Sequence, residues 1–180
     1  MESDQAVMTL PEQDEEAAAL ARFAATLAAH DSATAGLEAW CAARGIGDPP
    51  IVAARPIAGH NAAEPAELRA LLDVGGDSPL GYRHVALTCG GRVLSLAHNW
   101  FNPGLLSEAM NAALAASDLP FGKIAAPLGY AREALPPPPR DWCPPGTVKV
   151  GRALLRLPDG RALALVIECY TAAVLAAASP

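Results

Sequence analysis

"YRHVALTCGGRVLSLAHNWF", Tyr82 to Phe101, is the stretch that decides the fold. Two β-prone runs flank Cys89-Gly90-Gly91, and the glycines supply the positive-φ positions of a tight turn. A strand that reverses within so short a turn pairs antiparallel, because parallel neighbours need a crossover of about a dozen residues or more. "TVKVGRALLRLPDGRALALVIECYT", Thr147 to Thr171, repeats the arrangement around Pro158-Asp159-Gly160. Two hairpins with helical stretches before and between them predict an α+β fold, an antiparallel sheet with helices on one side.

The remaining segments fit around that sheet. "EEAAALARFAATLAAH", Glu15 to His30, places Leu20, Phe23 and Leu27 on one helical face. "ATAGLEAWCAARG" predicts a second short helix, with Asp31 or Ser32 as N-cap and Gly45 as its stop. "PPIVAARPIAG" reads as extended, with Pro56 suited to a sheet edge. "EPAELRALLDVGG" gives a short helix or an irregular connection. Leu105, Leu106, Met110 and Leu114 suit a helix that Pro120 closes. "PPPPRDWCPPG" is a stiff, polyproline-like surface connection. Residues 1–14 are expected to form a mobile acidic leader and residues 15–180 one domain, and no internal repeat is present.

Composition narrows the function. The 180 residues suffice for one domain with a real core, and 52% apolar against 18% charged residues indicates a globular chain. A net charge of −6 without any Lys/Arg cluster argues against nucleic-acid or anionic-membrane partners. Cys41, Cys89, Cys143 and Cys169 show no metal-ligand spacing, so they read as scattered reduced thiols of a cytoplasmic protein. The start lacks the basic-then-apolar order of a secretion signal. The apolar end from Ala162 to Ala178 is short for a membrane span and carries Glu168 at its centre.

Glu168 is the oddity of that last strand. Side chains alternate along a strand, so Glu168 shares a face with Val166 and Tyr170, while Leu165, Ile167 and Cys169 occupy the other. A strand apolar on both faces belongs in the middle of a sheet, which buries the carboxylate. Arg83 falls on the apolar parity of its own strand with Val85 and Leu87, and His98 aligns with Leu94, Leu96 and Trp100. An inward Arg and an inward Glu are expected to form a charged, concave pocket or a structural ion pair, and the residues leave both open. His30 and His60 carry no functional signal, and Trp40, Trp100 and Trp142 read as core or cover.

Four stretches together resemble the chorismate lyase family, and more closely its uncharacterised relatives with the same fold: "DSATAGLEAWC", the central hairpin through "NWFNP", "LPFGK", and the closing hairpin. They run in the family's order from Asp31 to Thr171. The resemblance implies an antiparallel sheet of about six strands whose helical flaps enclose a ligand, a fold shared with ligand-sensing domains of some transcription regulators. It implies that Arg83 binds the carboxylate of an aromatic ring, that the backbone N–H of Phe121 meets the same group, and that Glu168 is the catalytic acid. His98 stands where the enzyme has a second Arg, and Ala33 where it has a Met, which makes both substrate-contacting positions. The implied activity eliminates pyruvate from chorismate or a related cyclohexadienyl carboxylate to give 4-hydroxybenzoate, with no metal or organic cofactor. A carrier or sensor that binds a small aromatic carboxylate without chemistry is the alternative. No attached DNA-binding domain is evident, and oligomeric state stays open.

Overall fold

A computed structural model describes residues 9–59, 62–138 and 142–176. His60 and the first eight residues of the expected leader lie outside the described residues. Helix α1 (Leu10–Ala28) starts five residues before the expected Glu15. The reason is a capping box at Thr9, whose N–H and hydroxyl both donate to the Glu12 carboxylate at 2.8 Å, followed by Pro11 in the first turn. Helix α2 (Ala33–Arg44) begins and ends as expected. The Ser32 hydroxyl accepts from the Ala35 N–H at 3.0 Å, and Gly45 turns left-handed at φ 65°.

Strand β1 (Ala53–Pro56) and helix α3 (Leu68–Leu71) precede the central hairpin of β2 (Gly81–Cys89) and β3 (Arg92–Phe101). Helices α4 (Glu108–Ala116) and α5 (Phe121–Ala125) follow, then β4 (Ala131–Ala134), β5 (Thr147–Arg156) and β6 (Ala162–Thr171). The six strands form one antiparallel sheet in the order β1-β2-β3-β6-β5-β4. The last strand is therefore central, as its doubly apolar pattern requires, and Pro56 ends an edge strand that needs no donor there.

Both faces of the sheet are covered, not one. On the first face, Phe23 of α1 and Leu37 and Trp40 of α2 pack against Val85, Leu87, Ala97 and Tyr170. Farther along it, Leu114 of α4 and Phe121 and Ile124 of α5 meet Phe101, Leu155 and Val166. The second face buries Trp100, Leu154, Leu165 and Ile167 beneath Leu68 and Leu72, which lie in and just after α3, with Trp142 packed alongside. A bulge in β3 sets Leu94 among the residues of the first face, while Leu96, His98 and Trp100 keep to the second. The parity that grouped all four therefore breaks at Leu94.

The cysteines also correct the expectation of four reduced thiols. Cys143 and Cys169 form a disulfide across 26 residues, fastening the proline-rich connection to the second face of β6, while Cys41 and Cys89 are free and buried. Sequence spacing could not show this, because only folding brings the two thiols within bonding distance. No helix among the described residues is long and apolar enough to cross a membrane.

Candidate functional site

Strand register assigns each candidate a place. Arg83 pairs with Asn99, Asn99 with Val166, Ala97 with Glu168, and Glu168 with Gly151. Directly opposed residues share a face, so Arg83, Asn99 and Glu168 all point to the first face. His98 pairs with His84 and points to the second. There its Nδ1 lies 2.9 Å from the Tyr82 hydroxyl, and its ring stacks on His84 at 4.2 Å.

The partner of Glu168 is Arg132, not Arg83. Both terminal nitrogens of Arg132 donate to the Glu168 carboxylate, at 3.0 and 2.6 Å, in a fork that leaves Glu168 buried. Burial opposes the Arg132 charge, but the adjacent Glu168 carboxylate overrides it and raises the guanidinium pKa. Gly151 makes room for the pair, since a Cβ there would stand 2.6 Å from Glu168 Oε2. Arg83 instead donates to the Ser117 and Leu119 carbonyls at 3.2 and 3.0 Å, so it fastens the end of α4 to β2. Burial lowers its pKa.

Glu168 and Arg132 form one wall of a cavity of about 40 Å³ between the first face and the N-terminal turns of α2 and α5. Ala33 and Phe121 line it as well, so three of the five sequence candidates meet there, while Arg83 and His98 do not. Its apolar surfaces come from Leu87, Ala97, Leu155 and Val166. Asn99 lines it with 6% of its surface exposed, and its side chain makes no hydrogen bond to the described residues. Tyr130 closes one side, its hydroxyl donating to the Gly122 carbonyl at 3.4 Å, and burial raises its pKa. A Cβ on Gly122 would come within 3.0 Å of that hydroxyl and 3.2 Å of Thr34 Oγ1, so glycine lets the two helix ends approach. Lys123 of α5 pairs with Glu38 of α2 at 2.5 Å and holds them together.

In α2 the Ser32 side chain and carbonyl accept from Ala35 and Gly36. The N–H groups of Ala33 and Thr34, both in the cavity lining, are first-turn donors that have no acceptor within the helix. The positive end of the helix dipole adds to them. Sequence reasoning missed Arg132, Asn99, Tyr130 and Thr34. Arg132 sits on a four-residue edge strand, Ala-Arg-Glu-Ala, with no apolar alternation to mark it. Asn99 carried a signal, a neutral polar residue on an otherwise buried strand.

No protein-family model matches the chain. The sheet and its helices match PhnF from Mycobacterium smegmatis, with TM-score 0.55 and 11% identity, covering 84% of this chain and 68% of that one. The effector domain of PhnF alone gives TM-score 0.54 and 13% identity over 79% of this chain and 90% of that one. A GntR-family transcriptional regulator from Bacillus cereus matches with TM-score 0.43 and 10% identity, covering 72% and 97%. The fold is the chorismate lyase-like α+β fold, and PhnF and its effector domain share it. The resemblance to chorismate lyase itself is corrected: the structural likeness found is to PhnF and to its effector domain. Arg83 is engaged by the Ser117 and Leu119 carbonyls just past α4, and His98 lies on the other side of the sheet. In sequence the chain is similar to the uncharacterised protein y4mC of Sinorhizobium fredii, at 34% identity over 179 residues, covering 88% of this chain and 76% of that protein. By that identity and coverage the chain belongs to the family of y4mC.

Proposed function

We propose that the chain is a non-catalytic binding protein, a sensor or carrier, for a small aromatic carboxylate. The observation that carries this reading is Asn99, a buried residue whose amide makes no side-chain hydrogen bond among the described residues and lines a cavity that also receives the first turn of α2. Buried polar groups are normally hydrogen-bonded, and an exception facing a cavity suits a ligand. The Asn99 amide and the Ala33 and Thr34 N–H groups would receive the carboxylate. Leu87, Leu155, Val166 and Phe121 would hold the ring. Arg132 is neutralised by Glu168, so the helix end, not a free guanidinium, is the electropositive element offered to the ligand.

Cavity size adds a mechanism. About 40 Å³ accommodates water, whereas a cavity of roughly 150 Å³ is needed for benzene. A ring therefore enters only if the first turns of α2 and α5 move off the sheet. The Lys123–Glu38 pair makes them move together, and that displacement would be the output of a sensor. The effector-domain likeness of the fold supports the same reading.

Calorimetry and thermal melting with benzoate and 4-hydroxybenzoate test it. Saturable binding with a raised melting temperature is expected, and Asn99→Leu should abolish it while leaving a folded chain. Failure of every aromatic acid to bind the folded wild-type chain, or full binding by Asn99→Leu, would sink the proposal.

A further inference from the structure

The carboxylate reading leaves two thiols unused, and the fold brings them together. Cys41 lies in the last turn of α2 and Cys89 ends β2, and both are free and buried in the same core cluster on the first face. Ile46 joins them: its N–H donates to the Cys41 carbonyl at 2.8 Å, and its carbonyl accepts from the Cys89 thiol at 3.4 Å. Burial raises the Cys41 pKa, and a hydrogen bond between the two thiols adds to the rise.

Glycines allow this approach. A Cβ on Gly90 would stand 2.7 Å from the Gly47 nitrogen, so the loop after α2 lies directly on the β2–β3 turn. A Cβ on Gly47 would stand 3.2 Å from Cys89 Sγ, so at that point main chain alone covers the sulfur. Gly90 is exposed and Gly47 half-buried. Buried thiols are ordinarily inert, but a small neutral oxidant reaches this one through local opening of the two glycine loops. The pair stands on the opposite face of the sheet from Cys143 and Cys169, so it can close without exchanging with that disulfide.

We propose that Cys41 and Cys89 are a modification site, a dithiol that hydrogen peroxide closes to a disulfide, pinning the last turn of α2 to β2. Cys89, beside the glycine cover, attacks first: its sulfur, as thiolate, bonds to one peroxide oxygen while the O–O bond breaks, and the other oxygen leaves as water with the released proton. The Cys41 sulfur then displaces the bound oxygen, which departs as a second water with the Cys41 proton. The two sulfurs together lose two electrons, and the peroxide gains them. The bond fixes one end of the helix whose first turn borders the first-face cavity, whatever that cavity binds.

Thiol counting tests this on the full chain with Cys143–Cys169 closed, treated with hydrogen peroxide for about a hundred half-lives of free cysteine. After denaturation, two free thiols are expected before treatment and none after it. Tryptic digestion without reductant should then give a cross-linked product joining residues 23–44 to residues 84–92. Amide exchange in residues 41–46 should slow by about ten-fold or more on closure. It should not slow in peroxide-treated Cys41→Ala, which controls for methionine oxidation. Two thiols that survive the treatment overturn the proposal, and so does sulfinic or sulfonic acid at either cysteine without the cross-link. A link from either one to Cys143 or Cys169 overturns it too, and unchanged exchange in the cross-linked chain refutes the pinning. If Cys41→Ala fails to fold, the thiol count and the digest of the wild-type chain decide.

Discussion

Glu168 is buried at the middle of the sheet, and the arrangement around it shows what such a position requires. A lone carboxylate there would be neutralised or would destabilise the fold, whereas the two-pronged contact with Arg132 satisfies both oxygens. Removing one member of a buried pair strands the other, so Arg132→Met is expected to lower stability by about 3–5 kcal/mol. The double variant Arg132→Met/Glu168→Leu should recover most of that loss, because two apolar groups of similar volume replace the pair without desolvation. Denaturant titration of the three proteins measures both effects, and a double variant no better than Arg132→Met would refute the account. Half of this pair was legible in the sequence. The isolated Glu in an apolar strand announced a partner, but Arg132 lies on a short edge strand whose pattern looks like solvated turn.

At the scale of elements, the same logic separates two uses of arginine. Arg83 donates to the carbonyls of Ser117 and Leu119, just past α4, where a cation also complements the helix dipole. Hydrogen bonds from a charged donor contribute roughly 1.5–3 kcal/mol each, so losing both in Arg83→Met should destabilise the chain by about 3–6 kcal/mol. It should leave affinity for an aromatic acid nearly unchanged in calorimetry, since Arg83 does not line the cavity. A large loss of affinity with intact stability would restore the carboxylate-binding role that the resemblance implied. Elements with strong local signals were legible: the Gly90-Gly91 and Asp159-Gly160 turns, the Ser32 cap and the Gly45 stop. What parity within one strand cannot supply is the register between strands. Arg83 opposes Asn99 and not His98, and one residue of register separates a shared face from opposite faces.

For the whole molecule, burial acts on all three tyrosines in the same direction. Tyr82, Tyr130 and Tyr170 each have a phenol pKa raised first by burial, and Tyr170 is also opposed by the Glu168 carboxylate. The unfolded chain ionises its phenols near about pH 10, below the raised folded values. Stability from this source is therefore complete below that pH and falls as pH rises through the folded pKa values, where the unfolded state has already lost its protons. Tyrosinate absorbance should stay low in the folded chain past the ordinary titration range and rise together with unfolding. Full ionisation at the ordinary value with the fold intact would contradict it. The sheet's central strand was readable from its composition, but the cover on its second face was not. That cover depends on α3, four residues long, and on a proline-rich connection with no periodicity.

The sulfur link between residues 143 and 169 makes a closed covalent ring of the chain between them, with the whole of β5 and the exposed Asp159 turn inside it. A single backbone cut at that turn would open the ring without releasing a fragment. The cleaved protein would keep its mass until reduced, and β6 would stay tethered to the sheet it completes.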